Sequence, residues 1–218
     1  MQQEDQNKPA SFLSKVENFW YYYKAPVIIV IVIAAVLAIL FTSNSDSVAT
    51  DLNIAIVTSE TLTEESINFN ESLPGLIADA NGDGEANITI SRFFISKDLT
   101  QENDETYQNN LESQLANKGA IIYIADAANY ERLIKKDAFC PLDEFFDTEA
   151  YGNRVMYRGD QPIAFHLTGS KLLADMSFTT DDLYAMLLFR RSEDADDPIE
   201  NTEYANAVAV LKELLVQG

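Results

Sequence analysis

The chain is short of the residues that build most metal and redox centres. Its 218 residues include one histidine, His166, and one cysteine, Cys140. A zinc cluster, an HExxH protease site, a dithiol oxidoreductase and a disulfide-stapled domain each need more histidine or cysteine than this. These classes are excluded for the chain acting alone.

Positive charge is also scarce. The chain has 15 basic residues against 35 acidic ones, which gives a formal net charge of −20. Nucleic-acid binding depends on Lys and Arg that neutralise phosphates, so a nucleic-acid partner is not expected.

One long apolar run stands out near the N-terminus. Ala25 to Phe41 contains no charged residue, and its 17 positions would span roughly 25 Å as a helix, close to the thickness of a bilayer core. Aromatic residues 19–23 and then Lys24 precede the run, as is typical of a membrane interface. The sequence therefore predicts one transmembrane helix over 25–41.

The basic residues predict how this helix is oriented. Lys8, Lys15 and Lys24 precede the run, and no basic residue follows it until Arg92. The positive-inside rule then places residues 1–24 in the cytoplasm and the bulk of the chain outside the cell membrane, as a single-pass protein. Three of the 15 basic and three of the 35 acidic residues precede Thr42, so the remaining 12 and 32 belong to the outer part.

A cleaved signal peptide is the alternative, because Ser47-Val48-Ala49 offers the small residues of a cleavage site. The apolar run is longer than the 7–15 residues usual in signal peptides, which favours an uncleaved anchor. A polar linker over 42–51 would then connect the anchor to a domain over 52–218.

The first half of this domain alternates between strands and helices. We expect strands at Leu52–Val57, Asn87–Ile95 and Ala120–Ala125. The predicted helices run from Thr61 to about Pro74 and from Tyr107 to Leu115, with a stop at Gly119, and a third, short helix follows the cap residue Asp126. The second half begins with a hairpin, Val155–Arg158 and Gln161–Leu167 around Gly159-Asp160, followed by helices Thr179–Phe189 and Thr202–Leu215 with an acidic loop, Glu193–Glu200, between them. The predicted fold is a single three-layer α/β domain with a mixed, mainly parallel sheet.

Residues 79–85 resemble the first half of a calcium-binding loop. Asp79, Asn81, Asp83 and the carbonyl of Glu85 occupy ligand positions 1, 3, 5 and 7, and Gly84 occupies the turn position. Position 12, which should carry a bidentate Glu, is an isoleucine. Calcium is therefore the one cofactor that the sequence suggests. The alternative is a plain turn, because Asn-Gly and Asp-Gly favour turns.

No catalytic motif is found. The chain has no G-x-S-x-G, S-x-x-K or Walker sequence. His166 stands in a predicted strand, and Cys140 beside Pro141 is typical of a small core residue. We therefore do not expect an enzyme. The remaining enzymatic alternative is an extracytoplasmic hydrolase that uses carboxylate pairs such as Asp143 and Glu144.

Residues Tyr107 to Phe146 carry a recognisable order of features: a helix ending at Gly119, a buried strand, Asp126 at its end, Tyr130 on a short helix, and the turn Phe139-Cys140-Pro141-Leu142-Asp143. This stretch resembles the first lobe of bacterial extracellular solute-binding proteins. The resemblance implies a βαβ sheet with a ligand at the loop from Asp126 to Tyr130. Open α/β sheets also bind ligands at the carboxyl ends of their strands.

These observations lead to one functional hypothesis and two alternatives. We expect a membrane-anchored extracytoplasmic binding or interaction domain, similar to a solute-binding module, whose partner is a small molecule or a protein outside the cell. The alternatives are a calcium-braced surface or adhesion module and the hydrolase.

Overall fold

A computed structural model describes residues 20–24, 27–33, 50–60, 73, 75–175, 182–189 and 196–218. The chain divides into two compact units, Met1–Val48 and Ala49–Gly218. In the first unit, residues 20–24 and 27–33 are helical. Among the residues that the structure describes, no helix is long and apolar enough to cross a membrane. Most of the predicted span over 25–41 and of the linker over 42–51 lies outside the described residues, as does the predicted helix from Thr61.

The second unit contains a six-stranded sheet. In chain order the strands are β1 (Leu52–Thr58), β2 (Ile88–Phe94), β3 (Ile122–Asp126), β4 (Val155–Arg158), β5 (Gln161–His166) and β6 (Leu183–Leu187). Their order across the sheet is β2-β1-β3-β6-β5-β4. The strands β1 and β3 are rich in β-branched and apolar residues and are buried along almost their whole length, as expected for the centre of a sheet.

The sheet is mixed, as predicted, but the expectation that it is mainly parallel was wrong. β1 pairs in parallel with β2 and with β3. The pairs β3–β6, β6–β5 and β5–β4 are all antiparallel. The antiparallel pairs come from the second half of the chain. The tight turn at Gly159-Asp160 joins β4 directly to β5, and β6 then pairs antiparallel with β5.

Helices cover both faces of the sheet. They are α1 (Asp104–Ala116), α2 (Ala127–Leu133), α3 (Lys171–Asp175) and α4 (Pro198–Leu214). One face packs against α4 in a core that includes Ile54 and Leu211. The other face packs against α1 and α2 in a core that includes Val57, Leu111 and Leu133. The α/β domain is therefore layered as helix, sheet and helices.

The largest error of the sequence prediction concerns β6. A helix was expected over Thr179–Phe189, but Leu183–Leu187 form a strand between β3 and β5. Leu183, Ala185 and Leu187 face the core under α4, while Met186 faces the opposite core. A buried position between two strands favours the extended conformation over the helix propensity of Leu, Ala and Met.

Two helix ends also differ from the prediction. α4 begins at Pro198, inside the acidic stretch that was expected to be a loop, because the Asp197 side chain accepts hydrogen bonds from the Ile199 and Glu200 N–H groups. α1 ends at Ala116, and Lys118 rather than Gly119 adopts the left-handed conformation, with a φ of 54°.

Candidate binding site at the carboxyl edge of the sheet

The carboxyl ends of four strands meet at one edge of the sheet. The parallel strands β1, β2 and β3 end there together. Asp126, the last residue of β3, lies opposite Leu183, so β6 begins at this edge. His166, the last residue of β5, lies opposite Tyr184 and therefore ends there too. We call this the carboxyl edge.

Asp126 ties two loops of the carboxyl edge together. One carboxylate oxygen accepts the Asn129 N–H at 2.9 Å, which caps α2 as the sequence predicted. The other oxygen accepts the N–H of Ser59, just after β1. Because both oxygens are bound to backbone groups, Asp126 fixes the shape of this edge.

The side chain of Asn129 extends the same network to β2. It is 1% exposed, and its amide nitrogen donates to the Ile95 carbonyl at 3.1 Å and to Asp126 at 3.0 Å. Its oxygen accepts from the Arg132 guanidinium at 2.8 Å, and the same guanidinium donates to the Lys97 carbonyl. The loops after β1, β2 and β3 are thus joined through one buried amide.

Asp104, at the start of α1, organises the loop after β2. Its carboxylate accepts the Ser96 N–H at 2.7 Å, the Ser96 hydroxyl at 2.5 Å and the Gln101 N–H at 2.7 Å. Burial alone would raise its pKa, but these hydrogen bonds, with Arg132 nearby, hold the pKa of Asp104 below the ordinary value. The carboxylate is therefore ionised at neutral pH and holds the loop closed.

Three aromatic rings are stacked at the carboxyl edge. The rings of Tyr130 on α2 and Tyr184 on β6 are 4.3 Å apart with an interplanar angle of 16°. Tyr184 stacks in turn on His166 of β5, at 4.8 Å and 16°. Ala125 is the residue opposite Tyr184 on β3, and its small side chain is fully buried in the core that also holds Tyr130. We call Tyr130, Tyr184 and His166 the ring stack.

The ring stack combines a buried end with an accessible one. Tyr130 is 4% exposed, whereas Tyr184 and His166 are partly exposed. Burial, then the Glu131 carboxylate, raises the pKa of Tyr130. Burial, then Asp182, raises the pKa of Tyr184. The two phenols therefore stay protonated at neutral pH beside carboxylates, which makes the surroundings negative.

His166 also contributes an unsatisfied polar atom. Its Nε2 is buried and has no hydrogen-bond partner in the described part of the chain. Buried nitrogen atoms are nearly always paired, so an unpaired one at a strand end marks a position where a further group can bind.

The sequence placed Asp126 and Tyr130 at this edge but missed Tyr184 and His166. Tyr184 was assigned to a helix, and His166 was treated as an ordinary strand residue. Residues 183–187 are all apolar, and a short apolar run of this kind fits a buried strand as well as a helix. The contact of Tyr184 with His166 depends on the pairing of β6 with β5, which no local pattern shows.

The predicted calcium loop lies at the opposite edge, just before β2. The Asp79 carboxylate accepts the Gly82 N–H at 2.6 Å and the Gly84 N–H at 2.8 Å. These bonds, first that from Gly84, lower the pKa of Asp79. Asn81 Oδ1 accepts the Asp83 N–H at 2.9 Å. The loop is therefore a series of side-chain-to-backbone turns.

The fully buried Asp51 holds this loop to the sheet. Its carboxylate accepts the N–H groups of Ala80 at 2.7 Å and Asn87 at 2.7 Å, and the side-chain amide of Asn81 at 3.0 Å. Asp83 accepts the N–H of Glu85 at 2.9 Å. Among the described residues no three His, Cys, Asp or Glu side chains are grouped closely enough to hold a metal ion.

Ile90 explains why the loop departs from the full calcium motif. The residue lies within β2, opposite Ile54 of β1, and packs against the core under α4. The position that would carry a bidentate Glu is thus part of the sheet, and the ligands available to a cation are confined to residues 79–85.

Cys140 lies in the core, as predicted, and is 1% exposed. Burial, then the Glu144 carboxylate, raises the pKa of its thiol to about 12. The thiolate is the nucleophilic form, so Cys140 is unreactive at neutral pH.

No protein-family model matches the chain, and neither a curated protein nor a solved structure is significantly similar to it.

Proposed function

We propose that the protein is a membrane-anchored binding protein whose outer domain takes a small neutral or cationic molecule at the carboxyl edge. The observation that carries the proposal is the ring stack, which ends in two partly exposed rings and lies beside loops braced by Asp126 and Asn129. Aromatic surfaces on a rigid frame are typical of small-molecule sites.

The charge around the ring stack favours one class of ligand over another. Glu131 and Asp182 act electrostatically on the phenols, and the outer part of the chain carries 32 acidic against 12 basic residues. An anionic ligand would be repelled, whereas a neutral or positively charged one would be accepted. A flat apolar face on the ligand would match the outer face of the His166 ring and the edge of Tyr184, whose faces are stacked on Tyr130 and His166.

Membrane anchoring is part of the proposal. It is supported by the uncharged run from Ala25 to Phe41 and by the three lysines that precede it. Protease treatment of intact cells should digest the outer domain and leave a small N-terminal fragment in the membrane. Recovery of the whole outer domain from the medium would instead support a cleaved signal peptide.

The resemblance of Tyr107 to Phe146 to solute-binding proteins supports the same choice of site. It implies a ligand at the loop from Asp126 to Tyr130, and these residues stand at the carboxyl edge. Binding is favoured over catalysis because Cys140 is a buried thiol and His166 is stacked on Tyr184.

The ligand is tested by thermal melting of the full chain in lipid nanodiscs. We would screen monosaccharides, amino acids and small amines, because a ligand at 100 times its Kd stabilises by about 2.7 kcal/mol, or several degrees. Tyr184→Leu should abolish the rise in melting temperature, and Tyr184→Phe should retain it.

The matched control is Tyr157→Leu, which removes an exposed tyrosine on β4. A rise that survives Tyr184→Leu, or that Tyr157→Leu abolishes equally, would place the ligand elsewhere. If no member of the three classes raises the melting temperature, the proposed site is wrong.

A second candidate function is a calcium-braced surface module. It is favoured by the folded loop over 79–85, in which Asp79, Asn81 and Asp83 keep the alternate spacing of a calcium loop. Addition of about 5 mM calcium, above the roughly 10⁻³ M range of extracellular modules, should raise the melting temperature. Asp83→Ala, which removes a ligand oxygen, should remove the rise, and Asp160→Ala, in the β4–β5 turn, should not. An unchanged melting temperature would eliminate this function.

A further inference from the structure

The sequence contains a single Asn-Gly pair, Asn81-Gly82, and it lies in the loop over 79–85. Asparagine is chemically labile, and it deamidates most readily before glycine, which has no side chain to hinder its own backbone nitrogen as that nitrogen approaches the asparagine amide. Gly82 is exposed, and no other part of the protein lies within 4 Å of the place where a Cβ would stand. The pair is therefore open to solvent on the Gly82 side.

Deamidation of this pair is a balanced reaction that needs only water. The Gly82 nitrogen gives its proton to water or hydroxide and attacks Cγ of Asn81, so that a C–N bond forms, the Cγ–Nδ2 bond breaks and ammonia leaves. Water then opens the cyclic imide at either carbonyl, which yields aspartate or isoaspartate at position 81. The net result is the exchange of an amide for a carboxylate, with one added negative charge.

In the folded loop, hydrogen bonds hold both reacting groups apart. Asn81 Nδ2, the leaving nitrogen, donates to Asp51 at 3.0 Å, and Asn81 Oδ1 accepts the Asp83 N–H at 2.9 Å. The attacking nitrogen of Gly82 donates to the Asp79 carboxylate at 2.6 Å. These bonds must break before the nitrogen can approach Cγ, so the reaction proceeds from a locally opened loop.

Asp51 determines what happens after the reaction. The residue is fully buried, and its Oδ1 accepts the N–H groups of Ala80 and Asn81 as well as the Asn81 side-chain amide. A carboxylate at position 81 has no hydrogen to donate and would bring a second negative charge to about 3 Å from the first. Two carboxylates this close cannot both stay ionised, so the altered side chain has to leave Asp51.

The contacts on either side of the loop are independent of this amide. Before the loop, the Ala78 N–H and carbonyl are both bound to the side chain of Asn206 on α4, at 2.8 Å each. After the loop, the Asn87 N–H donates to the other oxygen of Asp51 at 2.7 Å, and the Asn87 carbonyl accepts the Asp51 N–H at 3.0 Å. Loss of the amide therefore frees the loop and leaves the sheet in place.

We propose that Asn81-Gly82 is a modification site, at which deamidation, slowed by the folded loop, releases residues 79–85 from Asp51. The release works in one direction, because the ammonia is lost and the new carboxylate cannot return to a buried carboxylate. It requires neither a ligand at the carboxyl edge nor calcium.

The rate of the reaction is measured on the full chain in lipid nanodiscs at pH 8, in calcium-free buffer. Mass spectrometry should show a gain of about 1 Da, assigned to residue 81 by fragmentation. The gain should be at least tenfold slower in the folded chain than in the same chain unfolded in guanidinium chloride. Equal rates in the two states, or no gain at residue 81 in the unfolded chain, would overturn the proposal.

The release itself is measured by cleavage with a glutamate-specific protease after Glu85, which is exposed in the loop. The deamidated protein, separated by anion exchange, should be cleaved there at least fivefold faster than the parent. Asn81→Asp should reproduce this rise. Asn153→Asp is the matched control, because it adds the same charge at an exposed position, and it should leave the cleavage rate unchanged.

Two further measurements separate charge repulsion from lost hydrogen bonding and from damage to the fold. Asn81→Ala removes the same donor without adding a charge, so it should accelerate cleavage less than Asn81→Asp does. Asn81→Asp should lower the melting temperature by only a few degrees, because the sheet stays in place. Cleavage of the deamidated protein at the parent rate, equal effects of Asn81→Asp and Asn153→Asp, or a melting temperature lowered by more than about 10 °C would overturn the proposal.

Discussion

Asn206 on α4 joins three segments of the chain that are far apart in sequence. Its Oδ1 accepts the Ala78 N–H at 2.8 Å, and its Nδ2 donates to the Ala78 carbonyl at 2.8 Å and to the Asp51 carbonyl at 3.2 Å. The residue is 3% exposed. One buried amide therefore attaches the start of β1 and the segment before the 79–85 loop to α4.

The replacement Asn206→Leu removes all three hydrogen bonds and keeps the number and branching of the side-chain heavy atoms. Each bond contributes about 1 kcal/mol net, and a backbone group left buried without a partner costs about 1–3 kcal/mol. Ala78 is exposed, so water can replace part of what its N–H and carbonyl lose. We expect the free energy of unfolding to fall by about 2–4 kcal/mol.

Urea unfolding of the full chain in detergent measures this loss as a lower midpoint with an unchanged slope. The control is Asn110→Leu on the exposed face of α1, which should stay within about 0.5 kcal/mol of the parent. A loss below about 1 kcal/mol for Asn206→Leu, or a loss equal to that of the control, would refute the role given to this amide.

Three other substitutions or reagents test the electrostatics and packing of the domain. Burial, followed by neighbouring carboxylates, raises the pKa of Glu203. The folded protein therefore gains stability from protonated Glu203 below the ordinary pKa of a Glu, and loses this gain as pH rises through the raised pKa. Glu203→Gln should therefore raise the melting temperature at pH 7 and give no gain at pH 4, while Glu149→Gln, at an exposed position, gives none at either pH. Iodoacetamide at pH 8 should alkylate Cys140 only after unfolding, because burial raises the pKa of the thiol to about 12; rapid reaction of the folded protein would contradict this. Gly119→Ala should lower the free energy of unfolding in urea by about 1 kcal/mol or less, because the added Cβ would meet only the end of the flexible Gln114 side chain. A loss above about 3 kcal/mol would contradict this and show that the backbone cannot adjust.

The sequence predicts the elements that are marked by a local signal, such as an apolar run or a tight turn. β3 is an apolar run, and β1 is apolar from Ile54 to Val57. The β4–β5 hairpin is specified by its Gly159-Asp160 turn. These strands begin and end within two residues of the predicted positions. β6 was mistaken for a helix because its five residues also have high helix propensity. What decides its conformation is the pairing with β3 and β5. Leu183 lies opposite Asp126, 57 residues earlier, and Tyr184 lies opposite His166, 18 residues earlier. Local propensity does not report such contacts.

The candidate site was predictable only where one segment supplied it. Asp126 and Tyr130 belong to a single β–α junction, and both were identified. Tyr184 and His166 join them through strand pairing, so the ring stack required the order of strands in the sheet. The network around Asn129 likewise depends on Arg132 reaching the Lys97 carbonyl across the sheet edge, which no local pattern encodes.

The position of β1 has a consequence for how the domain folds. This strand is the first of the six in the chain, yet it lies between β2 and β3, and its Ile54 and Ile56 are covered by the core that α4 completes. Because α4 spans Pro198–Leu214, the most apolar part of β1 stays uncovered until nearly the whole chain has been synthesised. Contacts this distant in sequence form slowly, and a chain that stops before α4 exposes the apolar face of β1 that carries Ile54 and Ile56. A ribosome-stalled or truncated product should therefore depend on chaperones far more than the complete protein does.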